Sequence, residues 1–152
     1  MEMRRKDKLM AAAEVEDVLK DTEYGILGTY GENGYPYAVP VNYVYKDNKI
    51  YLHGTNASGH KNINIRQCKK VSFTVVRNTE VIPESFNTKF QSVICFGDIR
   101  VLEEGKEPYL KLFLEKYSPD FMEEGMKYIE KAKDKAAVYE ITLVEKTGKE
   151  KM

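Results

Sequence analysis

Residues 24–45, YGILGTYGENGYPYAVPVNYVY, read as two strands joined by a tight turn. The first runs from Tyr24 to Tyr30, and the Asn33-Gly34 pair that follows is the dipeptide most favoured where two antiparallel strands reverse. The second runs from Tyr37 to Tyr45, with Pro36 at its entry and Pro40 inside it. Proline donates no ladder hydrogen bond, so Pro40 predicts an edge position, a bulge or a kink.

Working outward, Lys46-Asp47-Asn48-Lys49 is a second turn and Ile50 to His53 a third strand. A helix is expected over residues 58–69, on a weak apolar stripe of Ile63, Ile65 and Cys68. Val71 to Val76 alternates as a fourth strand, followed by a polar loop over residues 77–88. Phe90 to Leu102 reads as a long fifth strand in which Gly97 marks a bend or a close approach. Residues 107–117 place Leu110, Phe113, Leu114 and Tyr117 on one helical face, and Ser118-Pro119-Asp120 separates that helix from another over residues 121–133. Residues 136–144 alternate as the sixth strand, while Val15, Val18 and Leu19 mark an amphipathic helix over residues 11–20. Six short strands joined by hairpins predict a mostly β fold, an antiparallel β-barrel with helical excursions. A parallel doubly wound sheet would alternate strand and helix more regularly.

The polar stretch after the third strand, Gly54-Thr55-Asn56-Ala57-Ser58-Gly59-His60-Lys61, carries His60, and His53 immediately precedes it; the chain has no other histidine. Its glycines permit close backbone approach, Thr55, Asn56 and Ser58 offer hydrogen bonds, and His60 with Lys61 adds cations. A helix starting at Ser58 or Gly59 would add its unpaired N–H groups, so an anion, and a phosphate in particular, is the leading ligand reading. An ordinary strand-to-helix connection has the same composition. The spacings of a Walker loop and of the dinucleotide fingerprint are both absent.

The 152 residues fit one domain, 1–152, with a charged flexible tail expected over residues 1–10. Twenty-four basic and 24 acidic residues cancel, which argues against a broad nucleic-acid-binding face. There is no long apolar run and no signal-peptide pattern after Arg4-Arg5-Lys6, so a cytoplasmic protein without membrane spans is expected. Cys68 and Cys95 form no C-x-x-C pair, and no carboxylate or cysteine set accompanies the histidines, so neither a redox dithiol nor a metal site is expected.

Taken in order, several stretches resemble the pyridoxamine-phosphate-oxidase-like flavoproteins with a Greek-key split β-barrel, and among them the nitroimidazole-resistance branch. The resemblance rests on Met3-Arg4-Arg5-Lys6-Asp7, Gly28-Thr29, the run from Tyr35 to Tyr43, Ile50 to Gly54, Gly59-His60-Lys61, Val71-Ser72-Phe73, Gln91-Ser92-Val93 with Gly97, and Thr147-Gly148-Lys149. It implies FMN bound between the subunits of a homodimer. Val39, Pro40, Val41, Asn42 and Tyr43 match the strand beside the isoalloxazine, with Asn42 offering its amide to the ring edge. His60 and Lys61, assisted by Ser58, match the phosphate-holding pair, and His53 with Gly54 lies nearer the ribityl chain or ring. Gln91 and Ser92 match a polar pair that reaches the flavin from the partner subunit.

The function implied is reduction of a small electron-poor substrate, such as a nitroaromatic, with His53 as candidate proton donor. The alternatives are a flavin-binding or sensor protein without its own turnover, and a haem-binding relative. Pyridoxamine phosphate oxidation is not expected, because the chain ends shortly after Thr147-Gly148-Lys149, where the full oxidases carry further residues of the substrate site.

Overall fold

The computed structural model describes residues 4–55 and 60–152. Its strands are β1 (Tyr24–Tyr30), β2 (Pro36–Asn42), β3 (Val44–Lys46), β4 (Lys49–Thr55), β5 (Lys70–Ile82), β6 (Asn87–Leu102) and β7 (Ala136–Lys151), and its helices are α1 (Ala12–Asp21), α2 (His60–Gln67), α3 (Glu107–Tyr117) and α4 (Met122–Ala132). The strands form one antiparallel sheet in the order β2-β1-β5-β6-β7-β4-β3. β2 and β4 approach each other without pairing, so the sheet curls into a split barrel.

The described residues form seven strands rather than six, because the second expected strand breaks at Tyr43. That break belongs to α3. The Tyr43 N–H donates to the Tyr117 hydroxyl at 3.0 Å and its carbonyl accepts from Lys116 Nζ at 2.8 Å, so neither backbone group is left for a ladder. Of the edge, bulge or kink that Pro40 called for, the structure shows the edge: among the described strands β2 pairs with β1 alone. Asp47 and Asn48, both with positive φ, make the tight β3–β4 turn.

The expected loop over residues 77–88 is instead the far half of a hairpin. β5 continues to Ile82 across an irregularity between Arg77 and Glu80, and β6 begins at Asn87. β7 likewise continues past Val144 to Lys151, paired with β6 throughout. Gly97 is a close-approach point, since a Cβ there would stand 2.5 Å from the Thr142 carbonyl oxygen. At the amino end, Leu9 bridges to Lys149 and Met10 is buried, so the expected tail is already tied down at residues 9 and 10.

Two cores result. The larger fills the barrel and takes Val15, Val18 and Leu19 from α1, which lies against β3, β5, β6 and β7. The smaller holds α3 and α4 to the outer side of β3, β4 and β7 through Leu110, Phe113 and Ile129 on Val44, Tyr51 and Val138. No described helix is long and apolar enough to cross a membrane.

Candidate functional site

Strand alternation decides which of the expected residues can face a ligand. On β2, Val39 and Val41 are half-buried and pack on the barrel core, whereas Pro40 and Asn42 are exposed on the outer face. Tyr43 is 0% exposed; its hydroxyl donates to the Leu19 carbonyl at 2.6 Å and its ring meets Phe73 edge-on at 4.9 Å. Its side chain therefore belongs to the core rather than to a ligand wall, and burial raises its pKa. Phe73 is core for the same reason, and Phe90 is half-buried on the outer part of β6.

On β4, His53 is exposed and its ring lies edge-on to Phe113 of α3, 4.5 Å between centroids. Gly54 is half-buried on the opposite face. His60 and Lys61 form the first turn of α2, which contains no acidic residue. Ser58 lies outside the described residues.

What fixes α2 was not foreseen. Asn64 is 1% exposed; its Nδ2 donates to Thr29 Oγ1 at 3.0 Å, and its Oδ1 accepts from the Glu32 N–H at 3.2 Å. The Tyr139 hydroxyl on β7 donates to Asn62 Oδ1. These asparagines anchor α2 to the β1–β2 hairpin and to β7, and α2 touches both β1 and β2. The sequence does hold a signal for them: asparagine is a poor helix former, and two inside one short helix call for another purpose.

The structure thus brings β2, the end of β4 and the start of α2 together, and leaves Gln91 and Ser92 apart. His53 pairs with Val138 and Gln91 with Glu150, so the two lie twelve residues apart along β7, about 35–40 Å of strand. The two are also not a pair in space, because neighbours on a strand point to opposite faces. Gln91 turns inward and is 5% exposed: its Oε1 accepts from Arg77 Nε and Asn78 Nδ2, both at 2.9 Å, and its Nε2 donates to Glu150 at 3.1 Å. Only Ser92 faces outward with Val76 and Ile94.

The outer face of β1, β2, β5 and β6 is left uncovered by any described helix. Val76, Ile94 and Val144 are exposed there and belong to neither core. A cavity of about 680 Å³ opens on it, lined in part by Gly28, Ala38, Ser72, Phe96 and Val144. Gly28 keeps it open, since a Cβ there would stand 2.5 Å from Ser72 Oγ. Among the described residues no cluster of histidine, cysteine and carboxylate side chains could hold a metal.

The chain matches one family model, pyridoxamine 5'-phosphate oxidase, over residues 11–150. The chain belongs to that family. Solved structures agree on the family's fold. A candidate 5-nitroimidazole antibiotic resistance protein from Bacteroides thetaiotaomicron is 18% identical, with 93% of this chain and 85% of that one covered at a TM-score of 0.74. A FAD-binding protein from Mesorhizobium loti is 21% identical, covering 95% and 98% at 0.68. The FAD and heme binding protein from Mycobacterium smegmatis is 14% identical, covering 94% and 73% at 0.75. No curated protein matches the chain.

Proposed function

We propose that this member of the pyridoxamine 5'-phosphate oxidase family is an oxidoreductase that holds FMN between two copies of its chain and reduces a small electron-poor substrate of the nitroaromatic class. The family match over residues 11–150 carries the reading, and the gathering of β2, β4 and α2 beside an uncovered apolar face supports it.

The residues present suit that group. The first turn of α2 begins with two basic residues and no acid, a donor set that favours a phosphate. Pro40 and Asn42 supply an apolar surface and an amide on one outward face, the mixture a flavin ring needs. Bound flavin supplies the hydride and electron transfer. The chain's own part is to bind, orient and protonate: Asn62 and Asn64 hold α2 in place, Phe113 orients the His53 ring, and His53 is the proton donor. Val76, Ile94 and Val144 face the second copy, and that copy brings Ser92 towards the site.

The test is anaerobic. Flavin in the purified protein should be bleached by NADH or NADPH and reoxidised by a nitroimidazole. Bound flavin that neither reductant bleaches would favour a binding role without turnover. The similarity to a FAD and heme binding protein supports a second, haem reading, and a Soret band in place of flavin absorption would establish it.

A further inference from the structure

Tyr43 is the corner at which the barrel splits. Up to Asn42 the chain pairs with β1, and from Val44 it pairs with β4. Each ladder would run through the corner if its register continued. The β1–β2 register, which ends at Tyr24 opposite Asn42, would next set Glu23 opposite Tyr43. The β3–β4 register, which ends at Val44 opposite Tyr51, would within two steps set Asn42 opposite His53. Neither ladder takes those steps, so Asn42 and His53, both exposed, stand as the two lips of the split.

One turn of α3 holds the corner. Phe113, Lys116 and Tyr117 stand three and four residues apart and share a face of that helix. The Tyr117 hydroxyl takes the place of the next β1–β2 bond: it accepts from the Tyr43 N–H at 3.0 Å and donates to the Glu23 carbonyl. Lys116 Nζ donates to the Thr22 and Tyr43 carbonyls, both at 2.8 Å, and lies 3.9 Å over the Tyr43 ring. Phe113 is nearly parallel to the Tyr117 ring at 6.3 Å and meets the His53 ring edge-on at 4.5 Å. The same helical turn therefore grips both lips, β2 through the Tyr43 backbone and β4 through the His53 ring.

Packing alone does not call for a hydroxyl at this place, since a phenyl ring would fill the same space. What the hydroxyl adds is an acceptor for a backbone N–H whose residue is 0% exposed and so out of reach of water. Without it, the chain would recover the bond by running the β1–β2 ladder on to Glu23, which moves the corner and changes the distance between Asn42 and His53. We propose that Tyr117 is a positioning residue of the flavin site: acting through Tyr43, its hydroxyl fixes the spacing between the Asn42 amide and the His53 imidazole so that both meet one bound ring. This rests on the flavin reading above and adds the group that sets the spacing of its two ring contacts, all within a single chain.

Tyr117→Phe keeps the ring against Phe113 and removes only the hydroxyl. The variant should still load FMN, because α2 is untouched, but with the visible absorption bands of the bound flavin displaced from their wild-type positions. Its kcat for nitroimidazole reduction should fall about tenfold at little-changed KM. Added to His53→Ala, the same substitution should cost no further turnover, since the two act on one spacing. Lys116→Gln, which frees the Tyr43 carbonyl and leaves the hydroxyl in place, should displace the bands as well. A flavin-loaded Tyr117→Phe that unfolds at a lower temperature yet keeps wild-type bands and kcat overturns the positioning role; should that variant fail to fold, wild-type bands in Lys116→Gln overturn it instead. Wild-type protein that binds no flavin overturns the underlying reading and this one with it, whereas flavin-loaded wild type without turnover overturns the reductase reading alone and the bands still decide on Tyr117.

Discussion

Asn64→Ala removes the contact on which the position of α2 depends. The asparagine is 1% exposed and makes two neutral hydrogen bonds, to Thr29 Oγ1 at 3.0 Å and from the Glu32 N–H at 3.2 Å. Each such bond contributes about 1 kcal/mol net, and a buried partner left unsatisfied costs somewhat more. Glu32 is exposed, so water can replace the contact to its N–H. Thr29 is buried and its hydroxyl donates only weakly, at 3.4 Å, to the Tyr37 carbonyl. The expected loss is about 2 kcal/mol, or about 4–8 °C in the unfolding midpoint of a chain this size. Because α2 carries His60 and Lys61 in its first turn, loosening it should also weaken FMN about tenfold, which corresponds to about 1.4 kcal/mol. Thermal unfolding of the flavin-free protein and fluorescence titration with FMN read the two effects separately, and a double-mutant cycle with Thr29→Val isolates the shared bond. Asn64→Ala that unfolds at the wild-type temperature and binds FMN with wild-type affinity would refute the anchoring of α2.

Three further outcomes follow from the same geometry. His53→Ala should keep FMN and lose about a hundredfold in nitroimidazole turnover if the imidazole donates the proton; unchanged turnover with flavin retained would leave His53 as packing for Phe113. Burial lowers the Lys116 pKa to about 8, against about 10.4 in an unfolded chain. Between those values the unfolded chain binds the proton and the folded chain releases it, so stability rises as pH goes from about 8 to 10. After allowance for partial exposure the gain is about 1–2 kcal/mol, read by urea unfolding and absent in Lys116→Gln. Burial also pushes the Cys95 thiol up to about 12, while Cys68 is only half-buried. A thiol reagent should therefore titrate one cysteine in the native protein and two after denaturation.

The parts of the fold written in local pattern were legible in the sequence. Alternation marked the barrel strands, Asp47-Asn48 lay within the expected turn, and Pro40 called for an edge, a bulge or a kink, of which the edge is what the structure shows. The break at Tyr43 was not legible, because its cause is Lys116 and Tyr117, more than 70 residues away in sequence. The far half of the β5–β6 hairpin and the end of β7 escaped notice because they run beyond the cores, so burial imposes no two-residue period there. In the candidate site, residue types marked β2, the end of β4 and the start of α2, while strand parity places the side chains of Val39, Val41, Tyr43 and Gln91 in packing and internal hydrogen bonds. Asn64 was hidden because a hydrogen bond across 35 residues leaves only an odd asparagine in a weak helix.

Size-exclusion chromatography with light scattering and in-line visible absorbance tests the shared flavin site most directly. One peak at twice 17.5 kDa, carrying about one flavin per chain, is the predicted result. A monomer that holds its flavin fully, or a dimer with no flavin absorption at all, would contradict it.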